Sequence, residues 1–173
     1  MRRSIILSLI LAMFAALSVP STAADTGPNR RQPPKLRVIY KGEIVQRATP
    51  YTYCWTYSEG DGGVGMCADG FPRYPRGVAV EAPARIVIRI PYPAKPSDWF
   101  VEAHRTIVRH ENWDEPVGPA QDIAFKLKPR WVDGKVRAWK VIFHLEEPQR
   151  HYYLNTGGFL AQGDALYALH VKT

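Results

Sequence analysis

The chain has 173 residues, 46% of them hydrophobic, with 23 Lys and Arg against 16 Asp and Glu and only two cysteines. That composition excludes a disordered chain and a disulfide-dense miniprotein, and two cysteines are too few for a four-cysteine zinc site. No run of five like charges and no nucleic-acid motif accompanies the net charge of +7, so a nucleic-acid partner is not expected.

The chain opens MRRSIILSLILAMFAALSVPSTAA: two arginines, an apolar run from Ile5 to Val19 broken only by serines, then Pro20 and small residues to Ala24. This is the layout of a secretory signal peptide spanning 1–24. The run is about 15 residues, short of the roughly 20 that cross a bilayer as a helix. The first cysteine is Cys54, so the lipid-acceptor residue of a lipoprotein is missing. A secreted or periplasmic protein is expected, with no transmembrane segment after cleavage. Without residues 1–24, 21 Lys and Arg against 16 Asp and Glu leave a charge of about +5. The expected neighbours are anionic envelope polymers, polysaccharide or another envelope protein.

Residues 25–34, DTGPNRRQPP, hold three prolines and no large apolar side chain, and they read as an extended or flexible arm. From Lys35 to Thr173 a period-two pattern predicts one β domain. LRVIY (36–40) and EIVQR (43–47) flank Lys41-Gly42 as a first hairpin. ARIVIRI (84–90) sets Ile86, Ile88 and Ile90 against Arg85, Val87 and Arg89. WFVEAHRTIVRH (99–110) is rich in aromatic and β-branched residues and leans to strand. DIAFKLK (122–128) points Ile123, Phe125 and Leu127 inward and Lys126 and Lys128 outward. KVRAWKVIFHLEE (135–147) sets Trp139, Val141, Phe143 and Leu145 against Lys140, Ile142 and His144. VAVEA (78–82), RHYYL (150–154) and ALYALHV (165–171) add further strands. Many short strands between Pro and Gly turns predict an all-β, two-sheet antiparallel sandwich, immunoglobulin-like in topology, with a small β-barrel as the alternative. Arg85, Arg89, Lys126, Lys128 and Lys140 all fall opposite an apolar stripe, either as a solvated, pairing-resistant surface or as a functional basic face.

The stretch YTYCWTYSEGDGGVGMCAD (51–69) carries the sharpest local signals. Strand alternation places Tyr51, Tyr53, Trp55 and Tyr57 on one side and Thr52, Cys54 and Thr56 on the other. Asp61-Gly62 marks a hairpin turn that returns the chain through Met66 to Ala68. Cys54 then faces Cys67 and forms a disulfide, with Trp55 opposite Met66. The aromatic row is either the core side of the strand or an exposed ridge that stacks on sugar rings. Glu59, Asp61 and Asp69 offer oxygen ligands near the glycine-rich turn, without the full ladder of a calcium loop. A papain-like nucleophile at Cys54 lacks its preceding Gly-Cys and its helical setting.

Of the five histidines, His104 and His110 would lie about 20 Å apart on one strand, while His144 and His170 could meet across neighbouring strands. No GxSxG, HExxH or Walker loop is present. No cofactor, metal or catalytic residue is expected from motif, and an enzyme would need a pocket converging on groups such as His144, His151 or Asp122.

Tyr53, Cys54, Trp55, Cys67 and Asp69, within YCWTYSEGDGGVGMCAD, followed by VAVEAPARIVIRIP and closed by GDALYALHVKT, resemble small exported bacterial proteins of uncharacterised function. The resemblance implies a secreted or envelope sandwich and brings no chemistry with it. The functional expectation is an exported, non-enzymatic binding or structural domain.

Overall fold

Where apolar and polar residues alternate, each strand can bury one face only, so two sheets must close on each other. The computed structural model of the protein describes residues 30–148 and 150–173, and the expected signal peptide and residues 25–29 lie outside them. Its strands are β1 (Leu36–Tyr40), β2 (Glu43–Ala48), β3 (Pro50–Glu59), β4 (Gly62–Ala68), β5 (Val78–Ala79), β6 (Ala84–Ile90), β7 (Ser97–His104), β8 (Thr106–Arg109), β9 (Asp114–Val117), β10 (Gln121–Asp122), β11 (Phe125–Val132), β12 (Lys135–Leu145), β13 (His151–Leu160) and β14 (Gly163–Lys172).

One sheet runs β11-β12-β6-β1-β2, and the other runs β10-β7-β13-β14-β3-β4 with β5 paired to β14. Every pairing is antiparallel except β5 with β14. The inner faces share one core: Val38, Ile86, Ile88, Ile90, Val141 and Phe143 from the first sheet meet Trp55, Val101, Leu154, Tyr167 and Leu169 from the second. The expected two-sheet sandwich is therefore present, and neither sheet closes into the alternative barrel. Two-residue turns at Lys41-Gly42 and Asp133-Gly134 hold both residues at positive φ, the backbone that matches the twist of a hairpin.

Three local readings change. Residues 30–34, expected in the arm, pack on the domain: Pro33 and Pro34 are buried, and the Pro34 carbonyl accepts the buried Tyr167 hydroxyl at 2.8 Å. Buried ring donors need acceptors, and the backbone carbonyls of Arg30 and Pro34 supply them to Trp55 and Tyr167. The expected continuous strand over 99–110 breaks at Arg105 into β7 and β8. Strand β13 continues past the expected Leu154 to Leu160, through Gly157-Gly158, where the missing Cβ admits neighbouring backbone that any other residue would collide with.

Around Asn155 and His170 the outer face of the second sheet is covered by a third layer. The segment after β4 crosses it and is held by the β8–β9 hairpin: the buried Asp114 Oδ2 accepts the Tyr74 N–H at 2.7 Å, and the Pro72 carbonyl accepts the Asp114 N–H at 2.8 Å. Tyr74 donates to Asn155 Oδ1 at 2.8 Å, and Gly77 lies so close to the His170 ring that a Cβ would sit 2.6 Å from it. Among the described residues no such layer covers the outward residues Arg37, Arg47, Arg85 and Lys128 of the first sheet, which are half-buried or exposed.

Cys54 and Cys67 are directly opposite on β3 and β4 and joined by a disulfide, with Trp55 opposite Met66. Replacing both cysteines with alanine should cost about 3 kcal/mol in the chain-entropy picture. Urea unfolding checks it; an unchanged midpoint would mean that the ladder alone holds this edge.

Candidate functional site on the five-stranded sheet

The aromatic row of β3 does not form an exposed ridge. Trp55 is 1% exposed, packs edge-on against Tyr92, and donates its indole N–H to the Arg30 carbonyl at 2.7 Å. Tyr53 packs on the core and Tyr57 lies half-buried beneath the Arg31 guanidinium, 6.0 Å from the ring centroid. A register shift at the β3–β14 pairing, with Leu166 opposite Thr52 and Tyr167 opposite Pro50, leaves Tyr51 as the extra residue. A bulge redirects side chains, and Tyr51 joins the layer containing Tyr74 and Glu102 instead of the core. Burial first, then the Glu102 charge, raises the Tyr51 hydroxyl above its ordinary value.

The other expected groups also disperse. Glu59 pairs with Arg31 at 2.9 Å, Asp69 accepts from Thr52 Oγ1 at 3.4 Å, and Asp61 is exposed at the hairpin turn. Among the described residues no group of three or more His, Cys, Asp or Glu is placed to hold a metal ion. His144 does not meet His170. It sits on β12 opposite Arg85, while β14 belongs to the other sheet, and the covering layer makes that sheet's outer face an interior. His170 meets His151 instead, Nε2 to Nδ1 at 2.9 Å, with Tyr153 stacked on it at 4.3 Å. With Lys172 opposite His151 and Tyr153 opposite His170, the two histidines meet on a two-residue diagonal of one face, and the sequence alone does not fix that register. Asp122 is exposed on the short edge strand β10, away from both.

What the fold does bring together is charge. Pairings Lys128–Lys140, Lys140–Arg89, Arg89–Arg37 and Arg37–Arg47 line up one base from each strand of the five-stranded sheet. At the usual spacing of paired strands this rung spans about 20 Å. Arg85 lies two residues along β6 from Val87, and Lys126 and Arg130 flank Lys128 on β11. The adjoining rung is apolar on four strands, Ile142, Val87, Ile39 and Ile44, with Lys126 at its β11 end, and an open depression of about 460 Å³ includes Ile39, Arg85, Val87, Arg89 and Lys140.

Like charges directly opposite on a sheet destabilise it, so such a rung would normally be interleaved with acids. Here it is not: among the described residues, the ion pairs engage Arg31, Lys41, Arg105, Arg109, His110 and Arg150, and none engages a member of the rung. Arg89, at the centre, is half-buried and its Nε has no hydrogen-bond partner. Burial, then the guanidinium groups of Arg130 and Arg37, hold Arg89 below its ordinary value. An anion placed here would relieve the repulsion and satisfy donors at once, with Arg offering paired N–H groups and Lys a point charge. The sequence showed part of this face in Arg89, Lys128 and Lys140. Arg37 and Arg47 were missed because one base in each short strand says nothing until the register aligns them.

Matched against family models, curated proteins and solved structures, the chain finds no counterpart in any of the three.

The His170 ring gives a pH signature. The Pro75 carbonyl can only accept, so His170 Nδ1 carries the proton at 3.2 Å from it, and the neutral Nε2 accepts from His151. Burial first, then the His151 and Arg109 charges, lower His170 from 6.5, against upward pulls from the Pro75 hydrogen bond and Asp114. The unfolded chain therefore binds this proton more readily, so stability should be full above the ordinary value and fall as pH drops below about 6.5. Urea unfolding between pH 8 and 5.5 measures it, and His170→Gln should flatten the slope; an equal slope in that variant would assign it to other groups.

Proposed function

We propose that the protein is exported and acts outside the cytoplasm as a non-enzymatic binding module whose basic sheet face takes a linear anionic polymer of the envelope. The observation that carries this reading is the five-strand rung Lys128, Lys140, Arg89, Arg37 and Arg47, which forms no ion pair with a carboxylate among the described residues. A small anion would engage one or two neighbouring bases. A polymer lying across the strands meets a cation at every strand step, and the counterions released on contact drive association.

Export is supported by the signal-like leader and by a disulfide, which persists in oxidising compartments. Among the described residues no helix is long and apolar enough to cross a membrane. The uncovered outer face of the first sheet suits docking, since nothing in the fold must move to expose it.

Fluorescence anisotropy with labelled long-chain polyphosphate tests the proposal. Affinity should fall steeply with salt, and reversing Arg37 and Lys140 to Glu should weaken binding by roughly tenfold or more. The same reversal removes like-charge repulsion, so its melting temperature should hold. Lys172→Glu, on the other sheet, should bind as the native chain does. Equal affinity of the double reversal and the native chain would contradict the proposal.

A further inference from the structure

Trp131, at the end of β11, is 62% exposed between the half-buried Arg130 and Val132. The β11–β12 pairing shifts register between Arg130 and Trp131, so Arg137 is the extra residue on β12 and the local ladder is re-aimed. Trp131 and Arg137 then line a depression of about 550 Å³ together with Lys95, Lys135 and the Pro93-Ala94 backbone. The Trp131 indole N–H has no acceptor among the described residues, unlike those of Trp55, Trp99 and Trp139.

The wall carrying Lys95 is pre-organised. It belongs to PYPAKP, residues 91–96, where three prolines fix the backbone. Tyr92 is fully buried and donates to Gln162 Oε1 at 3.3 Å, while the Pro93 carbonyl accepts the Trp139 indole at 3.0 Å. Little ordering cost is left for a ligand to meet on that side.

We infer that this depression is a subsite for a pyranose ring carrying an anionic group, with the ring's C–H face on Trp131 and the anion held by Lys95, Lys135 and Arg137. The inference rests on the proposed polyanion-binding role and narrows its ligand to an acidic glycan. A phosphate chain has no apolar face to place on an indole, so the bare rung would serve it without Trp131. A bilayer fits less well, because the hairpin tip leads with Asp133 and Gly134, and a carboxylate entering the headgroup boundary first is unfavourable. The ring offers an apolar face, and the three cations select against neutral sugars.

Tryptophan emission and calorimetric titration with oligogalacturonate test the inference, with maltohexaose as the neutral control and phosphatidylglycerol vesicles as the membrane arm. Oligogalacturonate should shift the emission and bind, maltohexaose should do neither, and Trp131→Ala should lose at least tenfold in affinity while binding polyphosphate unchanged. Lys95→Gln with Lys135→Gln should weaken the same ligand and keep the native melting temperature. Equal oligogalacturonate affinity in native protein and Trp131→Ala, no binding of it at all, or an emission shift with vesicles alone would each overturn the subsite. Polyphosphate binding that survives those results leaves the basic face standing, and Trp131-dependent oligogalacturonate binding without polyphosphate binding would separate the two readings in the opposite direction.

Discussion

Strand β14 must be buried on both faces, and the rest of the molecule follows from that need. Its inward residues Ala165, Tyr167, Leu169 and Val171 fill the core, and Ala168 and His170 on the other side are also buried. A strand apolar on both faces needs two covers. The five-stranded sheet supplies one, and the segment containing Tyr74, pinned by Asp114, supplies the other. Where β14 has lost β3 and has not yet reached β5, Gln46 of β2 exchanges hydrogen bonds with the His170 backbone at 3.4 and 3.5 Å. That contact ties the two sheets together at their corner.

The consequence for function is an asymmetry. The second sheet packs on both sides along β14, and the polar groups there are engaged: His170 with His151, and Tyr74 of the covering layer with Asn155 and Asp114. The first sheet packs one face on the core, and on the other it gathers bases that form no ion pair among the described residues. Repulsion of this kind is tolerated when burial elsewhere supplies the stability, as the closed core does here. In the proposed role, an anionic partner would relieve that repulsion.

Much of the fold was legible because alternation is local. The stripe Ile86, Ile88, Ile90 and the stripe Val141, Phe143, Leu145 are buried as their spacing required. The facing cysteines set the β3–β4 register, and the turn that closes it is Gly60-Asp61, with Glu59 paired to Gly62, one residue earlier than the expected Asp61-Gly62. Less legible was everything that depends on pairing between distant strands. The bulge that frees Tyr51, the offset that brings His151 to His170, and the alignment of Arg37 with Arg89 and Lys140 are properties of register across the sheet. Residues 30–34 were misjudged for a different reason: their contribution lies in backbone carbonyls, which composition does not reveal.

The central claim is that the uncovered basic face, and not the covered one, meets the ligand. Mapping backbone amide chemical shifts on addition of a short polyanion tests it most directly. Changes confined to β1, β2, β6, β11 and β12, strongest around Arg89, are the predicted result. Changes centred on β13, β14 and the Tyr74 segment, with Arg37, Arg89 and Lys140 unmoved, would contradict it.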